Sequence, residues 1–121
     1  MNLICLAIYG LTICSNIPNE PVTTYRVSYY SNDYCVKHNP GCITASGEKF
    51  DDTKFTAACS SRWRLGQRLR LTYKDNSVEI VCNDRGSFSE KYGRALDLSK
   101  AAFEALSPLS YGVIRVFVDE I

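Results

Sequence analysis

From Gln67 to Cys82 the chain alternates in a way that fits a half-buried β-hairpin and not a helix. Leu69, Leu71 and Tyr73 share one face, while Arg68, Arg70 and Thr72 share the other. A period of two keeps an apolar face together only in an extended strand. Asp75-Asn76 reads as the turn and Ser77 to Cys82 as the returning strand. Thr24 to Ser31, Phe55 to Cys59 and Val113 to Asp119 read as further short strands; in the last, Ile114, Val116 and Val118 alternate with Arg115 and Phe117. Asn32 to Thr53 reads mostly as loop, punctuated by Asn39-Pro40-Gly41 and Ser46-Gly47. Ser99 is placed to cap a short helix from about Lys100 to Leu106, which Pro108 ends. Many short strands with so little helix, in 121 residues without repeat or linker, predict a compact mainly β barrel.

The first charged side chain is Glu20, and Leu3 to Cys14 is apolar but too short to span a bilayer. Residues 1–20 are therefore expected to be a signal peptide or leader, with membrane contact through that segment alone if it is uncleaved. Without Cys5 and Cys14, the remaining Cys35, Cys42, Cys59 and Cys82 suit a disulfide-stapled exported domain. Four cysteines allow three pairings. Cys35 with Cys42 would close the loop around Pro40-Gly41, and Cys59 with Cys82 would join two strands. Metal binding is not expected, since the cysteines lack paired close spacing and the single histidine is His38. With a net charge of +1 no global field draws nucleic acid, and none is expected as a partner. Arg62, Arg64, Arg68 and Arg70, with Trp63 among them, suit either a solvated strand face or contact with an anionic or sugar polymer.

Chemistry concentrates in Cys82-Asn83-Asp84-Arg85-Gly86, followed eleven residues later by Asp97-Leu98-Ser99. Asp84 falls where a strand meets a loop, and Asp97 falls just before the helix. Two carboxylates so placed can serve acid and base steps at a glycosidic bond. Each can equally satisfy loop or helix-terminal N–H groups.

Several segments in order resemble one family. Ser28-Tyr29-Tyr30 is similar to its opening strand, and Thr44-Ala45-Ser46-Gly47-Glu48-Lys49-Phe50 to its TASGE-x-F loop. Thr56-Ala57-Ala58, Leu65-Gly66-Gln67-Arg68-Leu69, Asn83-Asp84-Arg85-Gly86 with Phe88, Asp97-Leu98-Ser99-Lys100-Ala101-Ala102 and Gly112-Val113-Ile114-Arg115-Val116 continue the pattern. The chain thereby resembles the RlpA-like (rare lipoprotein A) double-psi β-barrel proteins, related to lytic transglycosylases and expansins. That resemblance implies a six-stranded double-psi barrel over residues 24–119, with one or two short helices and disulfide staples.

By the same resemblance, the function implied is an endolytic peptidoglycan lytic transglycosylase that leaves 1,6-anhydromuramyl ends. The alternative is a non-catalytic, expansin-like module that binds or loosens wall polysaccharide. The expected partner is peptidoglycan or another wall polysaccharide, bound by a monomer without cofactor, outside the cell, in the periplasm or at the envelope.

Asp84 falls on the family's catalytic aspartate, and Asp97 on a position that orients or bonds the sugar. Asn83 would position Asp84 or a substrate amide, and Arg85 would meet a muramyl carboxylate or Asp97. Ser46 and Glu48 lie in the groove-side loop, with Glu48 a reserve acid. Tyr30 and Trp63, and with them Tyr29, Tyr34, Phe88, Tyr92 and Tyr111, offer either sugar platforms or core bulk. The chain departs from the bacterial pattern at Cys59, where a histidine follows the TAA element, and at Ser87, where proline is usual.

Overall fold

The structure, a computed structural model, describes residues 2–17 and 23–121. The leader boundary expected near residue 20 lies outside the described residues. Strands β1 (Asn2–Ile8) and β2 (Leu11–Ile17) pair antiparallel as a separate hairpin. Cys5 and Cys14 sit opposite each other there and form a disulfide, which the leader reading leaves out of the framework.

Six further strands close a barrel: β3 (Thr24–Tyr30), β4 (Thr56–Cys59), β5 (Arg68–Tyr73), β6 (Asn76–Arg85), β7 (Arg94–Ser99) and β8 (Ile114–Glu120). Their order around the barrel is β3-β7-β4-β6-β5-β8, and β8 returns to β3. β3 with β7 and β4 with β6 run parallel; the other neighbours run antiparallel. Closure leaves the barrel no free edge.

The hairpin read from sequence is β5–β6, with its turn one residue earlier, at Lys74-Asp75. Lys74 takes a positive φ of 52° to make that turn. The shift sets Leu71 opposite Val78 and Leu69 opposite Ile80. All four side chains are buried, so apolar pairing fixes the register. Val27, Leu96, Leu98, Phe103, Leu106 and Val116 complete the interior with them.

Helix α2 (Lys100–Leu106) plugs the barrel with Ala102, Phe103 and Leu106, and Phe103 packs against Tyr29 at 4.8 Å between ring centres. Ser99, fully buried, is its N-cap. Its hydroxyl accepts from the amides of Ala102 and Thr56, both at 3.3 Å, and donates to the carbonyl of Lys54 at 2.6 Å. Ser99→Ala therefore strips one cap and leaves two further backbone groups without their partner. Denaturant unfolding is expected to show a loss of about 1–3 kcal/mol.

Two elements depart from the sequence reading. Asn32–His38, expected as loop, forms α1. Seven residues are too few to hold a helix alone, and its supports lie far off in sequence. The Asn32 amide donates to the Asp52 carboxylate at 2.9 Å, and the Asp52 amide donates back to the Asn32 side chain at 3.0 Å. Cys35 is bonded to Cys42. The second is β7, whose central Asp97 is a poor strand former. Flanked by β3 and β4, it takes strand form because both neighbours supply its ladder.

Candidate functional site

The barrel register brings four residues into one row across four strands. Ser28 of β3 pairs with Asp97 of β7, Asp97 with Ala58 of β4, and Ala58 with Asp84 of β6. Between β4 and β6 the register slips by one residue, since Ala57 faces Cys82 but Ala58 faces Asp84. This irregularity skips Asn83 and turns Asp84, rather than the amide, to the face of Ala58. With neighbouring strands about 4.8 Å apart, the two aspartates flank an alanine that contributes only a methyl group. They line one groove of about 420 Å³, together with Ala58, Tyr30 and Phe88.

Asp84 is held from three sides. One carboxylate oxygen accepts from the amides of Ala45 and Arg85, both at 2.9 Å, and the other accepts from the Tyr30 hydroxyl at 3.2 Å. Tyr30 stacks on Phe50 with ring centres 4.2 Å apart. Burial, then the charge of Asp84, its hydrogen bond and the charge of Asp97 push the Tyr30 phenol far above its ordinary range. It stays a hydrogen-bond donor, close to both acids.

Asp97 has a different environment. Burial pushes its carboxyl up from its ordinary 3.8, while the Ser28 hydroxyl and the charge of Arg94 pull it down. Ser28 donates to Asp97 at 3.0 Å and accepts from the Arg94 guanidinium at 2.7 Å. Arg94 thus acts on the acid by its charge and also holds the serine that donates to it. The net effect is upward, because desolvation of a carboxylate outweighs one neutral hydrogen bond and a cation held at one remove.

The other residues singled out in the sequence occupy distinct places. Asn83, Ser46 and Glu48 do not line the groove; they brace the loop behind Asp84. The Glu48 carboxylate accepts from Ser46 at 3.0 Å and from the Asn83 amide group at 3.2 Å, and the Ser46 amide donates to the Asn83 carbonyl at 3.0 Å. That loop carries the Ala45 amide that holds Asp84. Arg85 reaches the groove wall, but its Nη1 donates to the carbonyls of Cys59, Ser60 and Trp63 at 3.3, 2.8 and 2.6 Å. The cation beside Asp97 is Arg94, where the sequence reading offered Arg85.

Trp63 needs a correction as a sugar platform. It is 4 % exposed and packs edge-on against Tyr25 in the core, 5.5 Å between centres, because the barrel needs its bulk. Cys59 and Cys82 are bonded and fully buried, so the Cys59 sulfur is committed to the core and not to the groove. Among the described residues no group of three His, Cys, Asp or Glu side chains is placed to hold a metal ion.

Ser28 and Arg94 were missed as site residues. Ser28 was legible in principle, since it stands two residues before Tyr30 and shares its face. Tyr34 of α1, offered in the sequence as a sugar platform or core bulk, lines the groove wall, and so does His38, which the loop reading of that segment did not place there.

A closed six-stranded barrel with two parallel pairs and a rim groove holding two acids is a double-psi β-barrel of the RlpA kind. The family described as “Lytic transglycolase” matches residues 22–118, and the chain belongs to that family. It is 40 % identical over 91 residues to the “Probable endolytic peptidoglycan transglycosylase RlpA” of Treponema pallidum, covering 74 % of this chain and 27 % of that protein. The chain thus spans about a quarter of that relative's length. Among solved structures, an expansin of Clavibacter michiganensis aligns with a TM-score of 0.63 at 22 % identity, over 82 % of this chain and 50 % of that one. The “Streptomyces papain inhibitor (SPI)” aligns with a TM-score of 0.61 at 21 % identity, over 85 % and 98 %. These two likenesses are of fold.

Proposed function

We propose that this domain is an endolytic peptidoglycan lytic transglycosylase acting at the groove between Asp84 and Asp97. The observation that carries the reading is the row Asp97–Ala58–Asp84, which sets two carboxyls of unlike environment on either side of one methyl group. Cleavage needs a proton on the bridging oxygen and negative charge near the anomeric carbon as it turns oxocarbenium-like. Asp97 is the member of the pair that burial favours in its protonated form, so the proton-donor role moves to it. Asp84, anchored by three donors, supplies the fixed negative charge. The muramyl C6 hydroxyl then closes on C1 and leaves a 1,6-anhydro ring.

The relative from Treponema pallidum supports this substrate class by its name, and three disulfides suit an exported domain at the envelope. One observation favours a second reading, of a barrel that binds wall glycan without cutting it. Cys59 of β4 is locked in a buried disulfide and offers the groove no titratable group.

Digestion of purified peptidoglycan separates the two. The catalytic reading expects 1,6-anhydromuramyl ends by mass spectrometry, with their yield cut at least about tenfold in Asp84→Asn. Retention on sacculi without new ends, equal in wild type and variant, would leave the binding reading standing instead.

A further inference from the structure

Resting on the wall-glycan binding that both readings above share, we infer that Arg26 and Arg115 form a subsite, continuous with the groove through Arg94. Its ligand is a carboxylate that muramyl units carry on their O3 side group. The row follows from strand register. Arg26 of β3 pairs with Arg115 of β8 on one side and with Arg94 of β7 on the other. Arg26 and Ser28 point outward on β3, alternating with the buried Tyr25 and Val27. The Arg94 guanidinium donates to Ser28 at 2.7 Å, so it lies on that outward face. The Arg115 guanidinium donates to the Thr24 hydroxyl at 3.2 Å, and its Nη1 lies 3.9 Å from where a β-carbon on Gly93 would stand. It thus reaches across β3 toward the residue just before Arg94. Three cations therefore run side by side on strands about 4.8 Å apart, from the groove wall onto the barrel's outer face.

Among the described residues no carboxylate lies within ion-pair distance of these three arginines; the ion pairs there are Arg62–Glu90, Arg68–Glu79 and Arg70–Glu79. Arg68 and Arg70 show how the same barrel settles neighbouring outward arginines, since one glutamate on the next strand takes both. β3 presents no acid beside Arg115. On β8 the next outward positions are Phe117 and Asp119, and Asp119 is in register with Arg70 of β5 instead. Like charges directly opposite each other in an antiparallel pair repel and cost stability. An anion between them turns that repulsion into attraction, and the planar guanidinium fork matches a carboxylate. A glycan strand that lies in the groove and leaves it past Asp97 and Arg94 crosses this row. Its sugar backbone is neutral, and its muramyl side groups bring the carboxylates.

The test measures binding of wild type, the double variant Arg26→Gln/Arg115→Gln and the double variant Arg26→Lys/Arg115→Lys to purified glycan strands. Strands with and without stem peptides are run separately, which tells a peptide carboxylate from the lactyl carboxylate. A chitin oligosaccharide of equal length supplies the same backbone without charge. The glutamine variant should bind muramyl strands about tenfold more weakly, with a flatter dependence on salt, and should bind chitin as wild type does. The lysine variant keeps the charge and should keep most of the affinity. Both side chains are exposed, and removing a like-charge pair should leave the melting temperature of the glutamine variant no lower than wild type. In cleavage its loss should fall on KM with kcat unchanged. Equal affinity of wild type and glutamine variant for both kinds of muramyl strand would overturn the inference. Absence of anhydro ends with the wild type, with these binding differences intact, would remove the transglycosylase reading and leave the subsite standing.

Discussion

Asp97→Asn is expected to cut release of 1,6-anhydromuramyl ends by about 10³-fold while leaving the protein at least as stable as wild type at pH 7. The two halves share one cause. Asparagine has the same shape and its amide oxygen can still accept from Ser28, so the Arg94–Ser28 chain survives. What disappears is the proton. In the folded chain burial raises the Asp97 carboxyl above its ordinary 3.8, so between the unfolded and folded values the native state binds the extra proton. Stability from this group is fully present below the unfolded value and is lost as pH rises through the folded one. At neutral pH wild type therefore bears the cost of a desolvated carboxylate, and the amide removes it. Thermal unfolding from pH 4 to pH 8 should show wild type losing more stability than Asp97→Asn across that window. A variant that melts well below wild type at pH 7 would mean that Asp97 is a structural anchor. An active, stable variant would return the proton-donor role to Asp84. A site that holds its acid at a cost in stability is a common compromise in catalysts.

The parts of the fold legible in sequence are those governed by local pattern. Alternation at Leu69, Leu71 and Tyr73 marked β5, and Ser99 with Pro108 bracketed α2. The unforeseen parts take their form from distant partners. β7 exists because β3 and β4 flank it, and α1 because Asp52 and Cys42 tie it. The site divides in the same way. Asp84 and Asp97 stood out as acids within motifs, but their unlike environments depend on a row that forms only when four strands register. The slip at Asn83 that aims Asp84 leaves no mark in composition. Trp63 shows the converse, since an aromatic among arginines suits a ligand platform, and only its burial against Tyr25 decides for the core.

Replacing both Cys59 and Cys82 by alanine is expected to cost about 3 kcal/mol in denaturant unfolding, from loop closure alone. The bond spans 23 positions of sequence and joins Cα atoms 5.7 Å apart, with both side chains fully buried. Cutting it frees the unfolded chain and also removes two sulfurs from the packed interior, so the measured loss should not fall below that figure. The consequence reaches the groove because of where the bond lies. Cys59 follows Ala58 on β4, and Cys82 precedes the slipped Asn83-Asp84 step on β6, so one bond clamps the two strands whose register aims Asp84. The carbonyl of Cys59 is also one of the three that hold Arg85. Loss of the bond should therefore lower glycan cleavage even where the barrel remains folded. A double variant within about 1 kcal/mol of wild type would show that strand pairing alone holds the two sides together. Cleavage at the wild-type rate in that variant would show that the clamp has no part in aiming the acid.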